Sequence, residues 1–296
     1  MSTATTATIP AIDTTARAIG ANFGGVRMLT AHRAGFRAVC ISPPAGGNWA
    51  SNDRAQMRSA CEVLGIREGI VPNLRPGFSG RVAQRGELWT LRWELDEKHS
   101  LRRFANPCEG GWVDIAGQAL VVPFAGCMLI AATATGGDGM LRLATSHAGF
   151  RSLADVDKLT GRPERQFESV VYSIASAFKE RCNIDSHDVA IECFFGLAPG
   201  ALVYHYDNEN SELHKKFLDY LVGRWGEKVA YETEDAKGKG VVVDPGALFL
   251  AQAGPLFKSA TRWCDIHTDG PYANTRHTDP SLSGSRRNLG VIIRTR

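Results

Sequence analysis

A cysteine, a histidine and an arginine fall close together at the ends of two predicted strands. Cys127 lies in an apolar run, and His147 and Arg151 come in the strand that returns after the turn sequence TGGDG. A hairpin with its tip at Gly136–Gly139 pairs Cys127 with Ala148, and an adjustment of one residue pairs it with His147. We therefore predict that the thiol and the imidazole lie together at the ends of two paired strands.

This pair of residue types supports two chemistries. Cys and His are both zinc ligands, and a catalytic zinc takes three protein groups and keeps one position for water. Alternatively, a Cys beside a His is a nucleophile with its base, because the imidazole lowers the pKa of the thiol. Arg151 can hold a phosphate or a carboxylate through two parallel hydrogen bonds. The third interpretation is purely structural: Cys127 is a core thiol and His147 a hydrogen-bonded residue at a strand end.

The elements that must position these groups alternate between helical and strand-like patterns. Helices are predicted over Asn52–Ile66, capped by Asn52 or Asp53, over RQFESVVYSIASAFKERC, over SELHKKFLDYLVGRWG, and from an Asp244 cap with Pro245 in the first turn. Strands are predicted over Glu87–Leu95, VAIECFFGLAPGALVY and the closing RRNLGVIIRTR. Ala119–Ala134 is predicted as one buried strand or as two strand pieces bent at Pro123 and Gly126. This interleaving predicts a layered α+β or α/β domain with mixed β-sheets.

Composition narrows the class of protein. The chain has 296 residues, 44% of them hydrophobic and 22% charged, with a net charge of +3, which is typical of a globular protein. The sequence has no long run of Lys and Arg, so a nucleic-acid partner is not predicted. It has no apolar segment long enough to predict a membrane span. The seven cysteines are scattered without a CxxC, which favours a reduced, cytoplasmic protein. We predict a loose tail over residues 1–24 and one catalytic domain over residues 25–296.

Several motifs together resemble one known family. The stretch FAGCMLIAATATGGDGMLRLATSHAGFRSL resembles the core of the laccase-domain family, also called YfiH-like, polyphenol-oxidase-like or peptidoglycan editing factor. NDRAQMRSACEVLGI, IECFFGLAPGALVY, VDPGALFLAQAG and the segment from Arg262 to the C-terminus are similar to further family motifs in the same order. The likeness covers about residues 25–296, and the order of several loose motifs carries it.

The resemblance implies a fold, a metal and an activity. It implies a single αββα-type layered domain and a bound Zn²⁺, with Cys127 and His147 as two of its ligands. Activities attributed to the family include phosphorolysis of purine nucleosides and deamination of adenosine. By matching positions, Arg151 and Arg276 contact the substrate. Nucleoside and phosphate are therefore the expected small-molecule partners, and the purine stacks on Phe150 or Tyr272; the oligomeric state stays open.

The sequence also departs from the family pattern. The Asp expected before the cysteine is Gly126, and the Gly expected after the arginine is Ser152. The first metal-binding histidine is absent, and the matching position lies near Glu94, with His99 as the other candidate. A carboxylate can complete a zinc site with a Cys and a His, so the expected metal ligands are Cys127, His147 and Glu94.

Three hypotheses follow from these residues. The first is a zinc-dependent purine nucleoside phosphorylase or adenosine deaminase, in which the metal, Cys127, His147 and Arg151 carry the reaction. The second is a metal-free amide hydrolase or deamidase, in which Cys127 is the nucleophile and His147 its base. The third is a non-catalytic binding protein of the same fold, whose ligand set is broken at Gly126 and Glu94.

Overall fold

The computed structural model describes most of the chain. The described residues are 26–44, 47–49, 53–74, 81–83, 89–162, 165–206, 209, 211–263, 266, 272 and 286–296. The tail predicted over residues 1–24 and the candidate substrate residue Arg276 lie outside them. Among the described residues, no helix has the length and apolarity needed to cross a membrane.

The largest sheet has seven strands. In spatial order they are β1 (Met28–Arg33), β2 (Phe36–Ile41), β15 (Asn288–Arg294), β7 (Gln118–Phe124), β3 (Glu68–Val71), β5 (Ser100–Phe104) and β4 (Trp89–Glu94). β3 runs parallel to β5 and β7, and the remaining pairs are antiparallel. The carboxyl ends of β3, β5 and β7 therefore lie at the same end of the sheet.

A second sheet has five strands and contains the predicted hairpin. Its order is β14 (Ser259–Trp263), β10 (Ala190–Phe194), β8 (Met128–Thr135), β9 (Leu141–Ala148) and β6 (Gly110–Trp112). β10 and β14 are parallel, and the other pairs are antiparallel. The turn sequence TGGDG connects β8 to β9 as predicted, and the Gly136 N–H donates to the Met140 carbonyl across the turn at 2.9 Å.

A third, antiparallel sheet has the order β11 (Leu202–His205), β13 (Gly238–Val243) and β12 (Ala230–Asp235). The segment VAIECFFGLAPGALVY does not form one strand, because β10 and β11 belong to different sheets. Phe195 follows β10 with a φ of 64°, in the left-handed region that few residues other than glycine adopt. That backbone conformation ends β10 and redirects the chain.

Five helices complete the described structure. They are α1 (Arg54–Leu64), α2 (Phe150–Leu153), α3 (Val170–Cys182), α4 (Ser211–Trp225) and α5 (Pro245–Ala253), with short 3₁₀ turns at Val156–Thr160 and Ser186–Asp188. The side chain of Asp53 accepts from the Gln56 N–H, and that of Asp244 accepts from the Ala247 N–H. Both predicted caps are therefore formed, and each satisfies a backbone donor that the first helical turn leaves unpaired.

The apolar faces place these elements in four layers. Helix α1 covers the outer face of the seven-stranded sheet, where Met57 and Leu64 pack with Val121. Residues of the two large sheets, such as Val122 and Leu129, meet in a shared core. The other face of the five-stranded sheet is covered by α2, α3 and α5, with α4 beyond them on the third sheet. The αββα-type layered fold predicted from the sequence is confirmed.

Candidate active site

The strand register brings Cys127 and His147 to one face of the five-stranded sheet. Leu129, not Cys127, lies directly opposite His147, and Met128 lies opposite Ala148. The predicted pairing was out of register because residues 136–140, one more residue than expected, connect the strands. Side chains alternate along a strand, so Cys127 lies on the same face as Leu129 and is a diagonal neighbour of His147.

The thiol and the imidazole interact across this diagonal. Cys127 is half-buried and packs against the core between the two large sheets, while His147 is only 3% exposed. The Cys127 sulfur forms a side-chain hydrogen bond with the His147 ring. The predicted pair is therefore formed, with the thiol more exposed than the ring behind it.

Glu109 is a third member of the site, which the sequence analysis missed. Its side chain is fully buried, and its Oε2 lies 3.3 Å from Nδ1 of His147. The backbone is fixed as well, because the His147 N–H donates to the Glu109 carbonyl at 2.9 Å. Cys127, His147 and Glu109 thus form a chain of sulfur, imidazole and carboxylate, which we call the Cys–His–Glu triad.

Gly110 allows Glu109 to lie so close to β9. A Cβ atom at residue 110 would lie 2.0 Å from the carbonyl oxygen of Thr145, so any other residue would push the two backbones apart. The sequence signal for this contact was the acidic residue directly before the two glycines of CEGGW. A short glycine-rich strand gives no periodic pattern, so β6 was not predicted from the sequence.

The triad changes the charge state of His147. Burial disfavours the imidazolium and lowers the pKa, but the charge and hydrogen bond of Cys127 and those of the Glu109 carboxylate outweigh burial and raise it to about 10. His147 is therefore an imidazolium at neutral pH.

A cavity of about 210 Å³ lies beside Cys127. Cys127 and Arg151 line it at the ends of β7 and β9, and Tyr204 of β11 reaches it from the third sheet. Its other lining residues are small or apolar: Ala125, Gly126, Ala148, Gly149, Phe150, Leu197, Leu202 and Pro245. Cys127 therefore lines a small, largely apolar space, which is the usual form of a ligand site.

Three solved structures share this fold along most of their length. The Neisseria meningitidis protein NMB0706, described under the family model DUF152, is 14% identical, with a TM-score of 0.52 over 91% of this chain and 99% of its own. YfiH of Bacillus licheniformis is 10% identical, with a TM-score of 0.54 over 87% of this chain and 92% of its own. YlmD of Geobacillus stearothermophilus is 17% identical, with a TM-score of 0.53 over 93% of this chain and 93% of its own. The chain has a YfiH-like fold. No family model and no curated protein sequence matches it.

These structures confirm the predicted resemblance at the level of the fold. Within the YfiH-like fold, the two departures beside Cys127 and Arg151 have local explanations. Gly126 has a φ of 80°, and a Cβ atom there would lie 3.0 Å from the Leu197 side chain, so the position excludes a larger residue. Ser152 is buried, and its Oγ accepts from the Gly149 N–H at 3.1 Å, which fixes the turn from β9 into α2.

The YfiH-like fold places Glu94 away from the triad. Glu94 is exposed, ends β4 and pairs with Ser100, the first residue of β5. Cys127 follows the carboxyl end of β7, which lies with the carboxyl end of β5, at the opposite end of the sheet. His99, the other candidate, lies in the turn beside Glu94 and contacts the Asp96 carboxylate at 2.8 Å. Both residues were assigned to the site by their distance from Cys127 along the chain, and that distance does not show which end of the sheet they occupy.

The predicted zinc ligands are therefore not assembled by the described residues. Cys127 and His147 supply donors, but Glu94 lies at the other end of the sheet, and the Glu109 carboxylate contacts the imidazole from behind. Within the described part of the chain, no group of three or more His, Cys, Asp or Glu side chains is arranged to hold a metal ion. The described donor set does not fit a catalytic zinc.

The remaining predicted residues divide between cavity and core. Phe150 is buried but lines the cavity beside Arg151, and its ring lies 5.8 Å from that of Tyr204. Tyr272 is 7% exposed and packs in the core between the two large sheets, where it is not among the residues that line the cavity. Of the two aromatic residues predicted to stack on a purine, Phe150 lines the cavity beside Cys127.

Proposed function

We propose that this protein is a metal-free cysteine hydrolase that cleaves amide bonds through the Cys–His–Glu triad. The observation that carries the proposal is the chain from Cys127 through His147 to the buried Glu109, with Cys127 lining a cavity. A nucleophile, a base within hydrogen-bond reach and a third group that orients the base are the usual parts of an activated nucleophile.

The proposed amide cleavage uses a thiolate at Cys127 and a proton on His147. The Cys127 thiolate attacks the amide carbon and forms a carbon–sulfur bond, and the carbonyl π electrons move to oxygen. As the tetrahedral intermediate collapses, the carbon–nitrogen bond breaks and His147 donates its proton to the leaving nitrogen, which departs as ammonia or an amine. Water then attacks the thioester, and its proton passes to His147. The thiolate and a carboxylic acid product are released.

Glu109 is a positioning residue in this scheme. It touches the imidazole and keeps Nδ1 protonated, so that the other ring nitrogen faces the sulfur. In triads of this type, loss of the orienting carboxylate leaves the ring in the wrong tautomer. We therefore expect Glu109→Gln to lower kcat by about 10²-fold or more while KM changes little.

The alkylation rate of Cys127 tests the proposal directly. Purified protein is treated with iodoacetamide between pH 5 and pH 9, and the rate is followed by mass spectrometry of the Cys127 peptide. We expect reaction well below pH 8.5, where ordinary thiols become nucleophilic. We expect His147→Asn to slow the reaction at pH 6.5 by about tenfold or more.

Cys182 provides the internal reference because it is a half-buried thiol on α3. In parallel, release of ammonia or amine from a panel of small amides is measured in wild type, Cys127→Ala and Cys182→Ala. Loss of activity in Cys127→Ala alone supports the proposal. Alkylation of Cys127 that is no faster than that of Cys182, and that His147→Asn does not change, would overturn it.

Zinc-dependent phosphorolysis of nucleosides, the first hypothesis from the sequence, predicts a different result. Elemental analysis of the purified protein would then give about one zinc per chain, and Cys127→Ala would lose it. Cleavage of a purine nucleoside would require inorganic phosphate. An active, metal-free protein supports the cysteine hydrolase instead.

A further inference from the structure

One of the residues that line the cavity beside Cys127 carries a permanent charge. Within the described part of the chain, its lining is apolar or small except for Cys127, Tyr204 and Arg151, and the guanidinium of Arg151 is the one permanent charge among these residues. Leu197, Leu202 and Phe150 supply the apolar wall. A ligand that fills this space therefore lies against a wall that includes both a cysteine and an arginine.

The backbone of Arg151 is held firmly although its side chain is exposed. Arg151 lies in the first turn of α2, three residues after the end of β9, and the Ser152 N–H donates to the Gly149 carbonyl at 3.0 Å. The Ser152 hydroxyl in turn accepts from the Gly149 N–H at 3.1 Å. On the other side, Nη1 of Arg165 donates to the Arg151 carbonyl at 2.8 Å. These bonds fix the position of the Arg151 backbone, from which the side chain extends, relative to Cys127.

The Arg151 side chain determines which ligands suit this cavity. A guanidinium binds carboxylate or phosphate oxygens through two parallel hydrogen bonds, and no other described residue that lines the cavity carries a positive charge. The cavity is also smaller than the roughly 300–1,000 Å³ of drug-sized ligand pockets, so it suits a small molecule.

We propose that the substrate is a small amide that carries an anionic group, which Arg151 binds while the amide carbon faces Cys127. This inference rests on the proposed cysteine hydrolase activity and names its substrate class. The shared chemistry is an oxyanion, carried by a carboxylate or by a phosphate. Arg151 acts as a specificity-determining residue, and it recruits anions whether or not the amide is cleaved.

Two alkylating reagents of similar size test the inference without any enzymatic assay. Iodoacetate carries a carboxylate and iodoacetamide is neutral, and with either one the Cys127 sulfur forms a carbon–sulfur bond as iodide leaves. The ratio of their rates at Cys127, divided by the same ratio for free N-acetylcysteine, measures recruitment of anions. We expect a corrected ratio of about five, which corresponds to a partly solvated charge pair of about 1 kcal/mol.

Substitution then assigns the effect to one side chain. Arg151→Gln should return the corrected ratio to about one, since the ratio cancels any change in the reactivity of the sulfur that both reagents experience. Arg181→Gln is the matched control, because Arg181 is an exposed arginine in the last turn of α3. That turn leads to the start of β10, where Ala190 pairs with Thr133, at the far end of the sheet from Cys127. Arg181→Gln should keep the wild-type ratio.

The results separate this inference from the proposed function. A Cys127 that reacts slowly with both reagents contradicts the cysteine hydrolase. A Cys127 that reacts rapidly with both, at a corrected ratio of one or at a ratio that Arg151→Gln does not change, overturns the anionic substrate alone. Protection against iodoacetamide by succinate or by inorganic phosphate, lost in Arg151→Gln, identifies the carboxylate or the phosphate as the preferred group. Protection by neither at millimolar concentration also counts against the inference.

Discussion

At the scale of single residues, His147 carries a buried charge that its neighbours stabilise. Burial alone would lower its pKa, yet Cys127 and Glu109 raise the pKa to about 10, above the ordinary value of 6.5. A group whose pKa is raised by folding stabilises the folded state fully below its unfolded pKa, and this stability is lost as the pH rises through the folded pKa. The contribution of His147 to the free energy of unfolding should therefore decline between about pH 6.5 and pH 10.

Urea unfolding of wild type and His147→Asn at pH 6, 8 and 10 measures this contribution as the difference between the two proteins at each pH. We expect the difference to be largest at pH 6 and smallest at pH 10. In Glu109→Gln the same comparison should give a weaker pH dependence, because one of the two groups that raise the pKa is gone. A difference that stays constant from pH 6 to pH 10 would show that His147 is not held as an imidazolium.

At the scale of elements, the loop between β7 and β8 sets the position of the nucleophile. Gly126 turns the chain with a φ of 80° directly before Cys127, and its α-carbon faces the Leu197 side chain. Gly126→Ala adds a left-handed alanine, which costs about 1–2 kcal/mol, and places a methyl group 3.0 Å from Leu197. We expect a lower free energy of unfolding in urea and slower alkylation of Cys127.

The double variant Gly126→Ala/Leu197→Ala divides this cost into its two causes. Leu197→Ala removes the contact but leaves the backbone conformation, so Gly126→Ala should cost less in the Leu197→Ala protein than in wild type. The remaining cost is the left-handed backbone. An equal cost in both proteins would mean that the contact with Leu197 does not determine the residue at position 126.

At the scale of the whole molecule, a cluster on β1, β10 and β14 ties the two large sheets together. Nε of Arg33 lies 2.8 Å from Glu192 Oε2, and the Arg33 guanidinium carbon lies 4.1 Å from the ring centroid of Trp263. The Trp263 N–H also donates to Glu192. A guanidinium both pairs with the carboxylate and stacks on the ring, whereas an ammonium keeps the charge but loses the planar contact.

Arg33→Lys should therefore lower the free energy of unfolding by about 1 kcal/mol, measured by urea denaturation. Arg58→Lys is the control, since the pair of Arg58 with Asp96 is on the surface and 56% of the Arg58 side chain is exposed. That substitution should change stability by less than about 0.5 kcal/mol. Equal effects of the two substitutions would mean that the Trp263 stacking contributes nothing.

What the sequence determined was local. Asp53 and Asp244 were readable as helix caps, because a cap bonds to an N–H only three residues away. The turn TGGDG was readable as a hairpin, and a hairpin brings its own ends together whatever else the chain does. Cys127 and His147 were predicted as neighbours for that reason, and the observed register, with Leu129 opposite His147, places them on one face.

The pairing of distant segments depended on the tertiary structure. Glu109 meets His147 because β6 joins the edge of β9, and no periodicity in a short glycine-rich strand announces its partner. Glu94 leaves the site because β4 runs antiparallel to β5, which carries it to the opposite end of the sheet. Strand order and direction depend on how the buried apolar faces pack together, a property of the whole chain that spacing along the sequence does not encode.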